Sequence, residues 1–124
     1  MPVGAPAPYC AMRTVIERRG EVIVPIVGWA ETPSQRTRGL LGRSHIVTSG
    51  AFILCGAKQV HTFGLDRSID VALCDRRWTV VHVARGMRPN RLGRPTLKAH
   101  YAIEAECGAL RTLRKGDRLS LRQV

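Results

Sequence analysis

The chain has 124 residues, which suits one domain and leaves no room for a second full hydrophobic core. Its 44% hydrophobic and 23% charged residues exclude wholesale disorder. Lys and Arg number 20 against 9 for Asp and Glu, a formal net charge of +11. This excess favours anionic partners such as nucleic acid, an acidic protein face, anionic lipid or polyphosphate, although a coding bias toward Arg would produce it without a function.

The first half of the chain is predicted to hold a tail, a strand and a helix. Residues 1–20 are expected to be a mobile tail and lead-in, and residues 21–124 a single β-rich domain. Glu21–Ala30 is rich in Val and Ile and predicts a strand, in which Pro25 indicates an edge or a bulge. Thr32-Pro33-Ser34-Gln35 is a capping box and predicts a short helix.

The second half of the chain is predicted to be mostly strands. Apolar runs and alternation predict strands over Ala51–Cys55, Gln59–Phe63, Ile69–Cys74, Trp78–Arg85, His100–Cys107 and Asp117–Val124. Asp75-Arg76-Arg77 predicts a hairpin turn, Arg85–Lys98 a loop, and Gly108–Lys115 a short helix. The expected fold is mainly β: a compact β-sandwich or barrel-like single domain with one or two short α-helices.

Cysteine spacing and hydropathy bear on cofactors and location. The four cysteines (Cys10, Cys55, Cys74 and Cys107) lack the close pair typical of zinc sites, so we expect reduced, buried thiols, no metal and no cofactor. No apolar run approaches the roughly 18 residues that span a bilayer, and no signal segment is recognised. We therefore expect a cytoplasmic protein.

An ordered set of short blocks resembles a known family. The blocks are Gln35-Arg36-Thr37-Arg38-Gly39-Leu40-Leu41, Ser49-Gly50-Ala51-Phe52, Val60-His61-Thr62-Phe63-Gly64-Leu65, Ser68-Ile69-Asp70-Val71, Ala102-Ile103-Glu104 and Lys115-Gly116-Asp117. Over residues 22–122 this order resembles the domain of unknown function 192 family. The resemblance implies a small, mostly β domain and brings no general activity. Where this chain has its His-Thr-Phe-Gly stretch, many members have a Trp-x-Lys-Asn-Thr-like stretch, so functions inferred from that branch do not transfer.

The first candidate site is His61 with Asp70, which flank one predicted loop. Adjacent strands could bring imidazole and carboxylate together as a general base, with Arg36 and Arg38 adding cationic stabilisation, as in a small hydrolase-like enzyme. Alternatively, Asp70 accepts backbone N–H bonds and His61 is an ordinary edge histidine. No nucleophile motif completes a catalytic set.

Paired carboxylates are a further catalytic pattern. Glu104 and Glu106 share one face of a predicted strand, as a pair for acid–base chemistry would. The abundant arginines make charge pairing the better interpretation.

The second candidate site is a basic loop in which Arg85, Arg88, Arg91 and Arg94 recur every three residues among prolines. A polyproline II segment would place all four on one side, about 9 Å apart, where they could follow an anionic polymer. Alternatively, the loop is solvated and its arginines pair with Glu104, Glu106 or Asp117. The chain has only six aromatic residues and none lies in this loop, which argues against base stacking.

These features predict a binding or accessory domain, more readily than an enzyme, that presents an Arg-rich face and a His/Asp groove to an anionic ligand or protein partner. Two alternatives stay open. One is a nucleic-acid-binding protein that recognises the backbone with little sequence specificity, and the other is the hydrolase-like enzyme.

Overall fold

The computed structural model describes residues 14–31 and 50–124, and these form seven strands and no helix. The strands are β1 (Thr14–Arg18), β2 (Glu21–Ala30), β3 (Ala51–Cys55), β4 (Ile69–Cys74), β5 (Val80–Met87), β6 (Tyr101–Glu106) and β7 (Ser120–Gln123). They make one sheet in the order β5-β4-β6-β3-β2-β1-β7. The prediction of a mainly β fold is confirmed, whereas the sandwich or barrel form is not.

Strand β2 joins the two halves of the sheet. Its first half, up to Pro25, pairs antiparallel with β1, and its second half, from Ile26, pairs parallel with β3. Proline has no N–H to donate, so it is tolerated where a strand leaves one partner for another. The two edges of the sheet also approach each other. Thr79, just before β5, forms an antiparallel bridge with Arg118, just before β7.

Alternation along the central strands supplies two separate cores. In β3, Ala51 and Ile53 enter one cluster, which also contains Ile16, Ile103 and Leu113. The intervening residues of β3 face the opposite side and join a second cluster, whose members include Phe52, Leu54, Val60, Leu65 and Val71. Each fully buried Val, Leu, Ile or Phe side chain stabilises the fold by about 1.5–3 kcal/mol. Burial on both faces explains why β3 and β4 are almost continuously apolar.

Several element predictions hold and others need correction. The bounds of β2, β3 and β4 agree with the predicted strands. Strand β1 lies within the residues assigned to the tail and lead-in, and pairs with both β2 and β7. Residues 107–112 form consecutive turns, so the helix expected over Gly108–Lys115 is not confirmed. The capped helix beginning at Thr32 lies outside the described residues.

The part of the chain that the structure describes contains no helix long and apolar enough to cross a membrane.

Candidate functional site

The loop that follows β5, residues 88–98, is held in place by Thr62, and we call it the arginine loop. The Thr62 side chain is fully buried. Its hydroxyl donates to the carbonyl of Arg88 at 2.5 Å and accepts from the backbone N–H of Arg91 at 2.9 Å. The Thr62 backbone adds bonds to Arg91 and Asn90. One buried threonine therefore fixes the turn that carries the first arginines.

The rest of the arginine loop runs antiparallel to residues 58–62. The N–H of Gly93 donates to the carbonyl of Val60 at 2.8 Å, and the N–H of Thr96 donates to that of Lys58 at the same distance. A Cβ on Gly93 would lie 2.9 Å from the Val60 carbonyl oxygen, so only glycine permits this approach. The sequence predicted a strand over Gln59–Phe63, and the structure has a short ribbon there with a single bridge.

The four arginines of the predicted row have different roles. Arg85 lies in β5, and its guanidinium donates to the carbonyls of Arg111 and Leu113, so it ties β5 to a neighbouring turn. Asn90 has a φ of 60°, which a polyproline II helix does not allow. The polyproline II arrangement is therefore wrong, and Arg85 is separated from the other three by its structural bonds.

Arg88, Arg91 and Arg94 are exposed on this fixed loop and form no ion pair with a described residue. Ion pairs in residues 14–31 and 50–124 use Arg18, Arg67 and Arg122 instead. The pairing of loop arginines with Glu104, Glu106 or Asp117, considered above as the alternative, is therefore wrong for the described residues. Arg91 Nη1 donates to the carbonyl of its neighbour Asn90 at 3.4 Å, and the other donors of the three guanidiniums bond to no described residue, so water or a partner can take them.

An exposed aromatic pair lies beside the arginine loop. The His61 and Phe63 rings stack at 5.1 Å with an interplanar angle of 25°, and Phe63 is 47% exposed. The imidazole Nδ1 accepts from the N–H of Phe63 at 3.2 Å. His61 is bridged to Leu92, which is 63% exposed. The loop itself has no aromatic residue, but folding brings two rings next to it.

The Asp70 carboxylate accepts hydrogen bonds from backbone N–H groups. Between β4 and β5 the register shifts, so that Arg85 and Gly86 both lie opposite Asp70 in a β-bulge. Asp70 Oδ1 accepts from the N–H of Gly86 at 2.8 Å, and Oδ2 accepts from those of Gly108 and Leu110 at 2.9 and 3.1 Å. The structure joins Asp70 to no described histidine by a hydrogen bond or ion pair. It therefore does not bring the predicted His61–Asp70 pair together.

Glu104 was predicted to pair with an arginine, but its carboxyl is buried. Its register places it opposite Phe52 and Val71, facing the second core, and it is 3% exposed. Its Oε1 has no hydrogen-bond partner among the described residues, and burial raises its pKa to about 8. No arginine in residues 14–31 or 50–124 forms an ion pair with Glu104, so the predicted charge pairing is wrong for these residues.

The remaining predicted groups are placed as follows. Arg36, Arg38 and Cys10 lie outside the described residues. Cys74 is buried, and burial raises its pKa to about 12, with a smaller contribution from Asp75; Cys55 is half-buried and Cys107 is exposed. Residues 14–31 and 50–124 contain no group of three or more His, Cys, Asp or Glu side chains that could hold a metal ion.

A second cationic region lies at the other end of the ribbon. The turn between β4 and β5 (Asp75–Arg77), Lys58 and residues 97–100 line a cavity of about 330 Å³. Residues 76–103 contain seven Arg and Lys side chains and no Asp or Glu. That acid-free stretch is the sequence signal that could have located both cationic regions.

Comparisons with known proteins extend over nearly the whole chain. The family model DUF192, described as an uncharacterised ACR, matches residues 14–121. A crystal structure of a protein of unknown function from Novosphingobium aromaticivorans is 14% identical, with a TM-score of 0.74; the match covers 95% of this chain and 94% of that one. A crystal structure described as a "putative transcription regulator" from Sinorhizobium meliloti is 16% identical, with a TM-score of 0.71, over 93% and 96%. The search of curated proteins finds no match. At these identities the solved structures establish similarity of fold.

Proposed function

The chain belongs to the uncharacterised DUF192 family, and we propose that it is a non-enzymatic binding domain whose arginine loop docks on an acidic protein partner. The observation that carries this proposal is the state of Arg88, Arg91 and Arg94: all three are exposed, unpaired with described acids and mounted on a loop that Thr62 holds rigid. A fixed loop loses little conformational entropy when a partner binds. Free guanidiniums suit bidentate contacts with carboxylates.

Exposed apolar side chains beside these arginines favour a protein partner over nucleic acid. Leu92 is 63% exposed and Phe63 is 47% exposed. Protein interfaces combine arginine with aromatic and aliphatic side chains, and burial of those groups supplies affinity. A phosphate backbone offers no comparable surface to a leucine.

Nucleic acid remains the second candidate, because the exposed His61–Phe63 stack could receive an unpaired base. The Sinorhizobium meliloti description belongs to that protein, and a 16% identity extends only the fold to this chain. The candidate therefore rests on charge and on the exposed rings. Binding of this kind would fall steeply with salt.

The hydrolase-like alternative receives less support. It needs an Asp70 carboxylate that orients His61, but both Asp70 oxygens accept backbone N–H bonds instead. The proposed anion-binding surface therefore consists of the arginine loop and the His61–Phe63 stack, without a His/Asp groove.

The test compares defined probes across a salt series. The probes are a glutamate-only peptide, a peptide of glutamates interspersed with leucines, single-stranded RNA and duplex DNA. We expect the leucine-containing acidic peptide to bind most tightly. We expect the triple variant R88A/R91A/R94A to lose that binding, and Leu92→Ser to weaken it without affecting RNA.

A charge-matched control separates the loop from net charge. The variant R114A/K115A/R118A also removes three positive charges from exposed positions, and it should bind like the parent protein. If both triple variants lose affinity equally, the charge acts as a whole and the proposal is wrong. If RNA or DNA binds more tightly than either peptide and only the loop variant loses it, the nucleic-acid candidate replaces the proposal.

A further inference from the structure

The cavity beside the β4–β5 turn differs from the arginine loop in shape. It is an open, shallow cavity of about 330 Å³, lined by the turn residues Asp75–Arg77, the side chain of Lys58 and the segment that enters β6. This volume lies at the lower end of the range for small-molecule sites, about 300–1,000 Å³. A concave site of this size suits a compact ligand, whereas the exposed arginine loop suits an extended surface.

Four cationic side chains line this cavity, and one acid accompanies them. Arg76, Arg77, Lys58 and Lys98 supply the positive charges. Asp75 is the acid, but its Oδ1 accepts from the N–H groups of Arg77 and Thr79, at 2.9 and 3.0 Å. Asp75 therefore shapes the turn and forms no ion pair within the described part of the chain. The cavity keeps an excess of positive charge.

The cavity walls are already fixed. Lys58 Nζ donates to the carbonyls of Leu97 and Ala99 at 2.8 and 3.0 Å, which leaves one of its three hydrogens for a ligand. The N–H of His100 donates to the carbonyl of Cys74 at 2.7 Å and ties the entering segment to the end of β4. By contrast, the side chains of Arg76, Arg77 and Lys98 have no hydrogen bond or ion pair with a described residue, so their donors are available.

The pKa of His100 depends on the positive charges that line this cavity. Burial, and then the charges of Arg76 and Lys58, lower the pKa of His100 below its usual value. An anion bound among these groups would cancel part of that field and let the pKa rise. His100 also packs edge-on against Tyr101, at 4.6 Å between ring centroids, so its position is fixed and its titration can be followed by NMR.

From this geometry we propose that the cavity binds a small molecule through a phosphate or diphosphate group. Arg76 and Arg77 would grip the phosphate oxygens, and Lys58 and Lys98 would neutralise the remaining charge. Leu97 at the rim is 87% exposed and would contact the organic part of the ligand. The proposal does not depend on a protein partner for the arginine loop, because the two sites use different side chains.

The test is calorimetric titration with phosphate, pyrophosphate, a nucleoside diphosphate and citrate. We expect pyrophosphate and the nucleoside diphosphate to bind and citrate to bind at least about tenfold more weakly, because carboxylates do not match the spacing of diphosphate oxygens. The variant R76A/R77A should lose about tenfold in affinity per arginine. The variant K115A/R118A removes the same charge from exposed positions outside both candidate sites and should bind as the parent does.

Two further measurements guard against a folding artefact. Lys98→Gln changes one exposed side chain and should still weaken pyrophosphate binding, and the pKa of His100 should rise on addition of pyrophosphate to the parent protein. Equal binding of citrate and pyrophosphate, equal losses in both double variants, or an unmoved His100 would each overturn the proposal. Loss of acidic-peptide binding in R88A/R91A/R94A with pyrophosphate binding intact would show that the sites are separate.

Discussion

Replacing Asp70 should cost stability, because its carboxylate is the acceptor for three buried or half-buried backbone N–H groups. Gly86, Gly108 and Leu110 supply these donors. Gly86 and Gly108 have φ values of 62° and 94°, so the carboxylate holds two segments in conformations that most residues avoid. Without it, both the β-bulge in β5 and the turn after β6 would lose their anchor.

The magnitude follows from the number of donors left without an acceptor. Each buried N–H group left without an acceptor lowers the free energy of unfolding by about 1–3 kcal/mol. Asp70→Ala abandons all three and should lower the free energy of unfolding by about 4 kcal/mol after partial relaxation. Asp70→Asn keeps one oxygen but turns an N–H₂ group toward a donor, so about 2 kcal/mol is expected. Small domains are stable by about 5–15 kcal/mol, so the alanine variant should lose between about a quarter and four fifths of its stability.

Urea unfolding at neutral pH, followed by circular dichroism, measures these losses. Asp66→Ala is the control, since Asp66 lies in the loop that leads into β4 and is exposed, where it pairs with its neighbour Arg67; its midpoint should match the parent. If Asp70→Ala unfolds at the same midpoint as Asp66→Ala, the structural assignment is wrong. If Asp70→Asn keeps its stability and loses ligand binding, Asp70 belongs to a functional site instead.

Two further outcomes follow from the buried side chains. Folding raises the pKa of Glu104 to about 8, so the native state holds a proton that the unfolded chain releases; the free energy of unfolding should therefore fall by about 3–5 kcal/mol as pH rises from about 5 to about 8. Glu104→Gln should remove most of this slope in urea unfolding, and an unchanged slope would contradict the assignment. A Cβ at Gly28 would lie 2.6 Å from the Phe52 ring, so Gly28→Ala should lower stability by about 1–3 kcal/mol. Phe52→Leu in that background should recover part of the loss, and no recovery would exclude the clash as its cause.

Local pattern was sufficient for the central strands and for the family. β3 and β4 are short, largely apolar runs in which every residue except Cys55 is buried, and such runs are distinctive in sequence. The turn at Asp75 is equally local, because its carboxylate bonds to N–H groups two and four residues ahead. The ordered blocks indicated the DUF192 family before any fold was known.

At Glu104 and Arg85 the local sequence pattern predicted the wrong surroundings for a charged side chain. Glu104 alternates with apolar residues like any exposed strand residue, yet its face is covered by the second core. The spacing of Arg85 matched that of three exposed arginines, yet its guanidinium reaches carbonyls more than 25 residues away. Neither outcome can be read from neighbours in sequence, because long-range packing decides which face of a strand is covered.

The sequence by itself determined a basic, mostly β chain, its central strands and a stretch, residues 76–103, with seven Arg and Lys side chains and no acid. Only the tertiary structure decided which of those cations lie on the arginine loop and which line the cavity. Thr62 and its backbone partners hold the arginine loop beside an aromatic pair, and the β4–β5 turn meets Lys58 and residues 97–100 to line the open cavity. The reason is physical: composition and alternation act over a few residues, whereas the hydrogen bonds that place these side chains join segments far apart in the chain.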